Sequence, residues 1–255
     1  MSQIRTLILR APGTNCDVET AFAFQQAGAI VATLHVNRFI RGEERLSDYQ
    51  IFVIPGGFTY GDDISAGKVL ANELRLKLGE DISRFVENGG LILGICNGFQ
   101  VLVKLGILPG PLPGSQPRLT LTTNDSGRFE CRWVHLSVNQ KSSCIFTKGI
   151  EHLELPVAHG EGKVVTEATV LPGLNVALYY TDEQGNKAGY PHNPNGSVDN
   201  IAGICDSTGR IFALMPHPER HIRGNQHPRW LTEGASQWGN GFKIFENAVE
   251  WVKSL

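Results

Sequence analysis

Leu91-Ile92-Leu93-Gly94-Ile95-Cys96-Asn97-Gly98-Phe99-Gln100 is an apolar run that halts at a cysteine set between two glycines and then resumes with helical spacing. It reads as a buried strand, a sharp turn and a helix. Gly94, Cys96 and Gly98 have the spacing of a nucleophile elbow, where missing side chains let strand and helix backbones crowd together while the central residue projects. Cys96 is then the candidate nucleophile. A helix N-terminus, free backbone N–H groups and exposure at the carboxyl edge of a sheet all activate a thiol placed there. The plainer alternative is a buried structural cysteine, the common fate of a free one.

On the amino-terminal side, residues 4–9 and 30–36 read as strands. Between them Val18, Ala21 and Phe22 recur at helical spacing up to Gly28, after a turn in which Asn15 or Asp17 can cap the helix. Ile51-Phe52-Val53-Ile54 is a third strand and runs into Pro55-Gly56-Gly57-Phe58. This βαβ alternation predicts a parallel sheet covered on both faces, with its site at the carboxyl ends of the strands. Residues 58–67 read as a polar, glycine-punctuated loop leading into a helix from about Ala66. Paired glycines there free a backbone N–H to face a ligand; a simple strand-exit turn explains them equally well. Residues 81–87 continue as helix, and Gly89-Gly90 ends it.

On the carboxyl-terminal side, prolines and glycines over 108–116 break the rhythm. Strand-like runs follow at 129–136, 153–158 and 178–180. Residues 182–200 are dense in Gly, Pro and Asn and read as a long functional or partner-binding connection that needs a partner to order it. Residues 201–205 and 211–215 form a hairpin that delivers Pro216-His217-Pro218-Glu219. A polar stretch, 221–240, precedes an amphipathic helix over 242–252 whose Phe242, Phe245, Val249 and Val252 share a face. The expected class is α/β: one domain, residues 1–255, with a three-layer, mostly parallel central sheet and extra antiparallel strands in the C-terminal half.

With 255 residues and 41% hydrophobic content the chain can bury a sizeable core. A net charge of −2 without a long Lys/Arg cluster argues against a nucleic-acid or anionic-membrane partner. No run is long enough to cross a membrane, and the first residues do not read as a signal peptide. Five scattered cysteines, never in C-x-x-C spacing, point to a reduced, cytoplasmic protein with no metal site.

A thiolate nucleophile needs a base. His217 follows a strand and is clamped between two prolines that favour extended backbone. Glu219, two residues on, then projects to the same side and accepts an imidazole N–H, the third member's role in a triad. A histidine on a turn is more often solvated or structural; the strand-end setting and the neighbouring carboxylate favour catalysis. Cys96, His217 and Glu219 suit acyl transfer through a thioester, with the N–H groups of Asn97 and Gly57 as oxyanion donors if the Gly57 strand neighbours the elbow strand.

Pro55-Gly56-Gly57-Phe58, the 94–100 segment and Met215-Pro216-His217-Pro218-Glu219 resemble, in order and spacing, the three signatures of class I glutamine amidotransferases, which have a flavodoxin-like fold. Residues 124–134, Ala158-His159-Gly160-Glu161-Gly162 and Asn193-Pro194-Asn195-Gly196-Ser197 are similar to the glutaminase subunits of phosphoribosylformylglycinamidine synthase. The resemblance implies that Cys96 attacks the carboxamide of L-glutamine, His217 moves the protons and Glu219 orients the histidine. It assigns Phe58, Gln100, Arg128 and Phe129 to the substrate. It implies no cofactor in this chain; a large synthetase subunit uses ATP and Mg²⁺, and a small subunit bridges the two. His159 and Glu161 fall at the site rim or partner face, and a plain turn explains them equally. Two other readings stand beside this one: a glutaminase feeding a different acceptor, and a non-enzymatic flavodoxin-like thiol sensor.

Overall fold

The computed structural model describes residues 3–110, 118–234 and 236–255, so most of the stretch at 108–116 lies outside the described residues. The first half alternates strands β1 (Arg5–Arg10), β2 (Ile30–His35), β3 (Ile51–Ile54) and β4 (Leu91–Ile95) with helices α1 (Asp17–Gln26), α2 (Val36–Ile40), α3 (Lys68–Glu87) and α4 (Asn97–Leu105). Strands β5 (Leu119–Thr122), β6 (Glu130–Val138), β7 (His152–His159), β8 (Lys163–Thr166), β9 (Asn175–Thr181), β10 (Ile201–Cys205) and β11 (Ile211–Leu214) follow. Helices α5 (Trp230–Glu233) and α6 (Phe242–Lys253) complete the chain.

Nine strands form one sheet in the order β2-β1-β3-β4-β11-β10-β9-β6-β7. The first five run parallel, and the last four add the antiparallel wing expected of the C-terminal half. Every residue of β3, β4, β10 and β11 is buried, as strands covered on both faces require. The crossover through α1 runs from β1 outward to β2, and the one through α3 runs the opposite way, from β3 to β4. Right-handed crossovers in opposite directions put α1 and α3 on opposite faces. α6 joins α1, with Phe24 and Phe245 edge-on at 5.0 Å, and α4 packs on α3, giving three layers.

The order of strands decides where the site lies. β4 sits between β3 and β11, with Gly94 opposite Ile54 on one side and Ala213 on the other. Carboxyl ends of three neighbouring parallel strands therefore open together.

Several local expectations are corrected. α1 begins after Cys16 without a side-chain cap, because Asp17 is instead paired with Arg10 at 2.9 Å. The sequence reading missed β5 and β8, two four-residue strands forming a separate antiparallel pair, too short for alternation to mark and more than 40 residues apart. Residues 182–200 are tied down by hydrogen bonds within the chain. Asn193 Oδ1 accepts the N–H groups of Gly196 and Ser197, Asn195 is fully buried, and Asn200 Nδ2 donates to the carbonyls of Tyr180 and Ala188. Short amide side chains supply the partners that a helix or sheet would otherwise give the backbone.

The 221–240 stretch is pinned to the wing. Glu154 accepts Arg229 at 2.9 Å and pairs with His227 at 3.1 Å, while its carbonyl accepts His221 Nδ1–H at 2.8 Å. Trp133 meets both imidazole rings edge-on. No helix among the described residues is long and apolar enough to cross a membrane.

Candidate active site

Cys96 stands at the junction of β4 and α4 with φ 50° and ψ −102°, a conformation that L residues avoid. The flanking glycines make it possible. A Cβ on Gly98 would collide with the Ile54 carbonyl oxygen, and one on Gly94 would press into Leu102 and the Gly98 backbone. Cys96 is 5% exposed, so the thiol is recessed and not exposed at the sheet edge as the spacing suggested. Its Sγ–H points to the Ala158 carbonyl at 3.7 Å. That contact exists because β7, the far edge of the wing, curls back over the site; the carbonyl of its Pro156 also accepts the His217 N–H at 2.8 Å.

His217 leaves β11 and lies beside the Cys96 sulfur, 121 residues away in sequence. Its Nδ1 is 2.6 Å from Glu219 Oε1, and both residues are 1% exposed. The route differs from the extended strand expected: Pro218 opens a 3₁₀ turn over Pro218–Arg220, and that turn folds Glu219 back onto the ring. Burial works against a charged imidazole, but the Glu219 carboxylate and the Cys96 and Cys16 sulfurs outweigh it and hold the His217 pKa well above its ordinary value. His217 Nε2 has no hydrogen-bond partner among the described residues. It faces the Cys96 sulfur and receives the thiol proton when that thiol turns from Ala158; the raised pKa reflects how well Glu219 and the sulfurs hold the resulting imidazolium.

β3 and β4 are neighbours, so the condition on Gly57 is met. Neither the Gly57 nor the Asn97 N–H has an acceptor among the described residues. Gly57 has φ 149°, and a Cβ there would strike Asn15 and Gly13 backbone atoms. The structure thus brings Cys96, His217, Glu219, Gly57 and Asn97 to one place. Phe58 and Phe129 are 44% and 53% exposed with rings 6.3 Å apart, and the exposed Arg128 lies in the same turn as Phe129. Gln100 is turned inward. Its Oε1 accepts from Asn97 and its Nε2 donates to the Glu161 carbonyl at 2.5 Å.

Three features escaped the sequence reading. Cys16 Sγ lies 3.9 Å from His217 Nδ1 and 3.1 Å from an Arg220 guanidinium nitrogen; burial pushes its thiol pKa up. Its place just after β1, next to the parallel strand that carries Gly57, was the available signal. Cys16, His217 and Glu219 put three donor atoms within 4.8 Å, the only metal-ligand-like group among the described residues, and a cation there would have to break the His217–Glu219 bond. The second feature is the Asn97 side chain, buried in a web with Thr59 and Asp62. The third is Asn124, whose amide joins the 124–129 turn to the His159 strand end. A cavity of about 790 Å³ lined by Tyr49, Gln50, Arg84 and Trp251 opens at the opposite edge of the sheet and contains none of these groups.

Residues 3–252 match the family model of the CobB/CobQ-like glutamine amidotransferase domain. A Dehalococcoides mccartyi protein named phosphoribosylformylglycinamidine synthase subunit PurQ is 59% identical over 256 residues, covering all of both chains. One of the same name from Methanococcus maripaludis is 43% identical over 97% of each. Among solved structures, a chain of PurLQS from Thermotoga maritima superposes with a TM-score of 0.77 at 31% identity, over 98% of this chain and all of that one.

Proposed function

The chain belongs to the CobB/CobQ-like glutamine amidotransferase family, and from that membership together with the site geometry we propose that it is the glutaminase subunit of phosphoribosylformylglycinamidine synthase. Cys96 Sγ attacks the side-chain carboxamide carbon of L-glutamine after passing its proton to His217 Nε2. The Gly57 and Asn97 N–H groups receive the oxyanion, in a buried setting where such donors act most strongly. His217 returns the proton to the departing nitrogen, ammonia leaves, and a glutamyl thioester remains on Cys96. Water, deprotonated by the same imidazole, attacks the thioester, releasing glutamate and restoring the thiol.

Glu219 holds the ring so that Nε2 faces sulfur and stabilises the imidazolium between the two proton transfers. Phe58, Arg128 and Phe129 rim the mouth through which glutamine enters. Ammonia passes to a large synthetase subunit, which uses ATP and Mg²⁺ to convert formylglycinamide ribonucleotide to formylglycinamidine ribonucleotide. A small third subunit bridges the two, a reading supported by the PurLQS likeness. This chain uses no cofactor of its own and works in the cytoplasm.

The observation that carries the proposal is the convergence on Cys96 of a carboxylate-bound imidazole and two N–H groups that have no acceptor among the described residues. Incubation with the glutamine mimic 6-diazo-5-oxonorleucine, followed by intact mass and peptide mapping, tests it. An adduct confined to Cys96 is expected. Absence of that adduct in the presence of the synthetase would leave a thiol sensor as the better account. A glutaminase serving another acceptor would be labelled but would not support amidine synthesis when mixed with the purine-pathway synthetase.

A further inference from the structure

Asn97 carries two separable functions in one residue. Its backbone N–H is free for the oxyanion, while its side chain, 1% exposed, is fully committed. Oδ1 accepts from Thr59 N at 3.3 Å and from Thr59 Oγ1 at 2.6 Å. Nδ2 donates to Asp62 Oδ1 at 3.1 Å and to Gln100 Oε1 at 2.9 Å. Two donors meet the oxygen and two acceptors meet the nitrogen, so rotating the amide would set like against like at Thr59 N, Asp62 and Gln100, and only the Thr59 hydroxyl could reverse its role.

The segment this amide grips has little to hold it by itself. Gly57, Tyr60, Gly61, Asp62 and Ile64 all have positive φ, and three of them carry side chains. On its far side the loop is tied by Phe58 N to Gly13 O and Tyr60 N to Pro12 O, both on the segment after β1. Among the described residues, every hydrogen bond between residues 57–63 and the elbow passes through the Asn97 side chain. One oxyanion donor rides on that loop and the other on the elbow.

We propose that the Asn97 side chain is a positioning residue that sets the separation of the two oxyanion N–H groups by locking the Gly57 loop onto the elbow. This rests on the glutaminase reading for its kinetic consequence, but the loop-locking itself is measurable without substrate. Burial, with Glu161 nearby, already raises the Asp62 pKa. A further carboxylate at position 97 would face both Asp62 and the Gln100 carbonyl oxygen, and protonation would restore a donor.

The test uses the complex with its synthetase and three variants, Asn97→Leu, Asn97→Asp and Thr59→Val. Asn97→Leu is expected to lower kcat for glutamate release on the order of 10²-fold, the usual cost of a displaced oxyanion donor, with KM changed only a few-fold. Iodoacetamide alkylation of Cys96, which forms no tetrahedral oxyanion, should stay within about threefold of wild type. Thr59→Val leaves the elbow sequence intact and removes one bond, for about a tenfold loss. Asn97→Asp should regain turnover as pH falls, unlike wild type.

Hydrogen exchange at the amides of residues 57–63 should quicken in both Asn97→Leu and Thr59→Val. Unchanged exchange in both would overturn the proposal whatever the substrate proves to be. So would an alkylation rate that falls in parallel with kcat, since that marks collapse of the elbow. Wild-type protein with quickened exchange in its variants but no glutamate release would instead sink the glutaminase reading and leave the loop lock standing.

Discussion

Lowering the pH from 7 to 5 should destabilise this protein through one buried histidine, His159, and the size of the effect follows from its surroundings. The ring is 3% exposed. Asn124 Nδ2 donates to the carbonyls of Arg128 and His159, so its Oδ1 is the acceptor, and His159 Nδ1 must supply the hydrogen across their 3.1 Å contact. Nε2 is left as a bare acceptor with no partner among the described residues. Burial first, and the nearby His217 charge second, push the pKa down to about 3 from an ordinary 6.5. The unfolded chain takes up a proton that the folded one refuses, so this contribution is present above pH 6.5 and is lost as pH falls toward 3. At pH 5 the difference is about 2 kcal/mol, rising toward roughly 5 kcal/mol at the lower limit. His159→Asn keeps a donor near the Nδ1 position and removes the titration. Urea unfolding of both proteins at pH 7 and pH 5 should show wild type losing about 2 kcal/mol more than the variant, roughly 0.7 M in midpoint for a slope near 3 kcal/mol per M. Equal losses in the two proteins would refute a buried neutral imidazole at 159.

Cys96→Ala should abolish glutamine-dependent synthesis by the complex while leaving ammonia-dependent synthesis intact, read as amidine formed with either nitrogen source. Loss of both activities would contradict the division of labour between subunits. Glu219→Gln should keep the fold, checked by circular dichroism, and lower kcat by about 10³–10⁴-fold, because a neutral amide no longer enforces the tautomer that aims Nε2 at sulfur. Gly98→Ala puts a methyl group into the Ile54 carbonyl; it should cost about 1–3 kcal/mol in urea unfolding and slow alkylation of Cys96, since β4 and α4 must part to admit it.

The elbow was legible because its glycines carry a steric necessity that shows in sequence: Gly94 and Gly98 are where Cβ atoms have no room. β3, β4 and the 201–205/211–214 hairpin were legible because buried strands are written as unbroken apolar runs. The hairpin turn also declared itself, with the Asp206 carboxylate accepting four hydrogen bonds from the residues it precedes. What stayed hidden depended on partners distant in sequence. The curl of β7 that brings Pro156 and Ala158 to the nucleophile leaves no local mark, and Cys16 has only its place after β1, with no local motif, to tie it to His217. The 3₁₀ turn at Pro218 was misread because proline restricts its predecessor to extended backbone yet starts a helical turn itself.

The three stretches that narrowed the resemblance, 124–134, 158–162 and 193–197, look unrelated along the chain, and the fold gives them a common cause. Asn124 Oδ1 accepts from His159 Nδ1 and from Gly162 N at 3.0 Å; Asn195 Nδ2 donates to the Gly162 carbonyl at 2.8 Å, and the Asn195 carbonyl accepts Asp125 N–H at 3.1 Å. Each stretch therefore satisfies buried polar groups of the other two, and substituting one amide strands donors in its neighbours at a cost of about 1–3 kcal/mol each. The block is also anchored to the elbow, because Gln100 Nε2 donates to the Glu161 carbonyl and the Glu161 carboxylate accepts Ala66 N–H at 3.3 Å. Thus the Arg128–Phe129 turn, which the proposal sets at the mouth of the site, is fixed relative to Cys96 through a chain of hydrogen bonds: Asn124, the 159–162 turn, Gln100, Asn97. The same Asn97 amide holds the Gly57 loop, so substrate mouth and oxyanion donors share one reference; when Asn97 is replaced, Gln100 keeps its bond to Glu161 and holds the mouth, while the Gly57 loop loses its ties to the elbow.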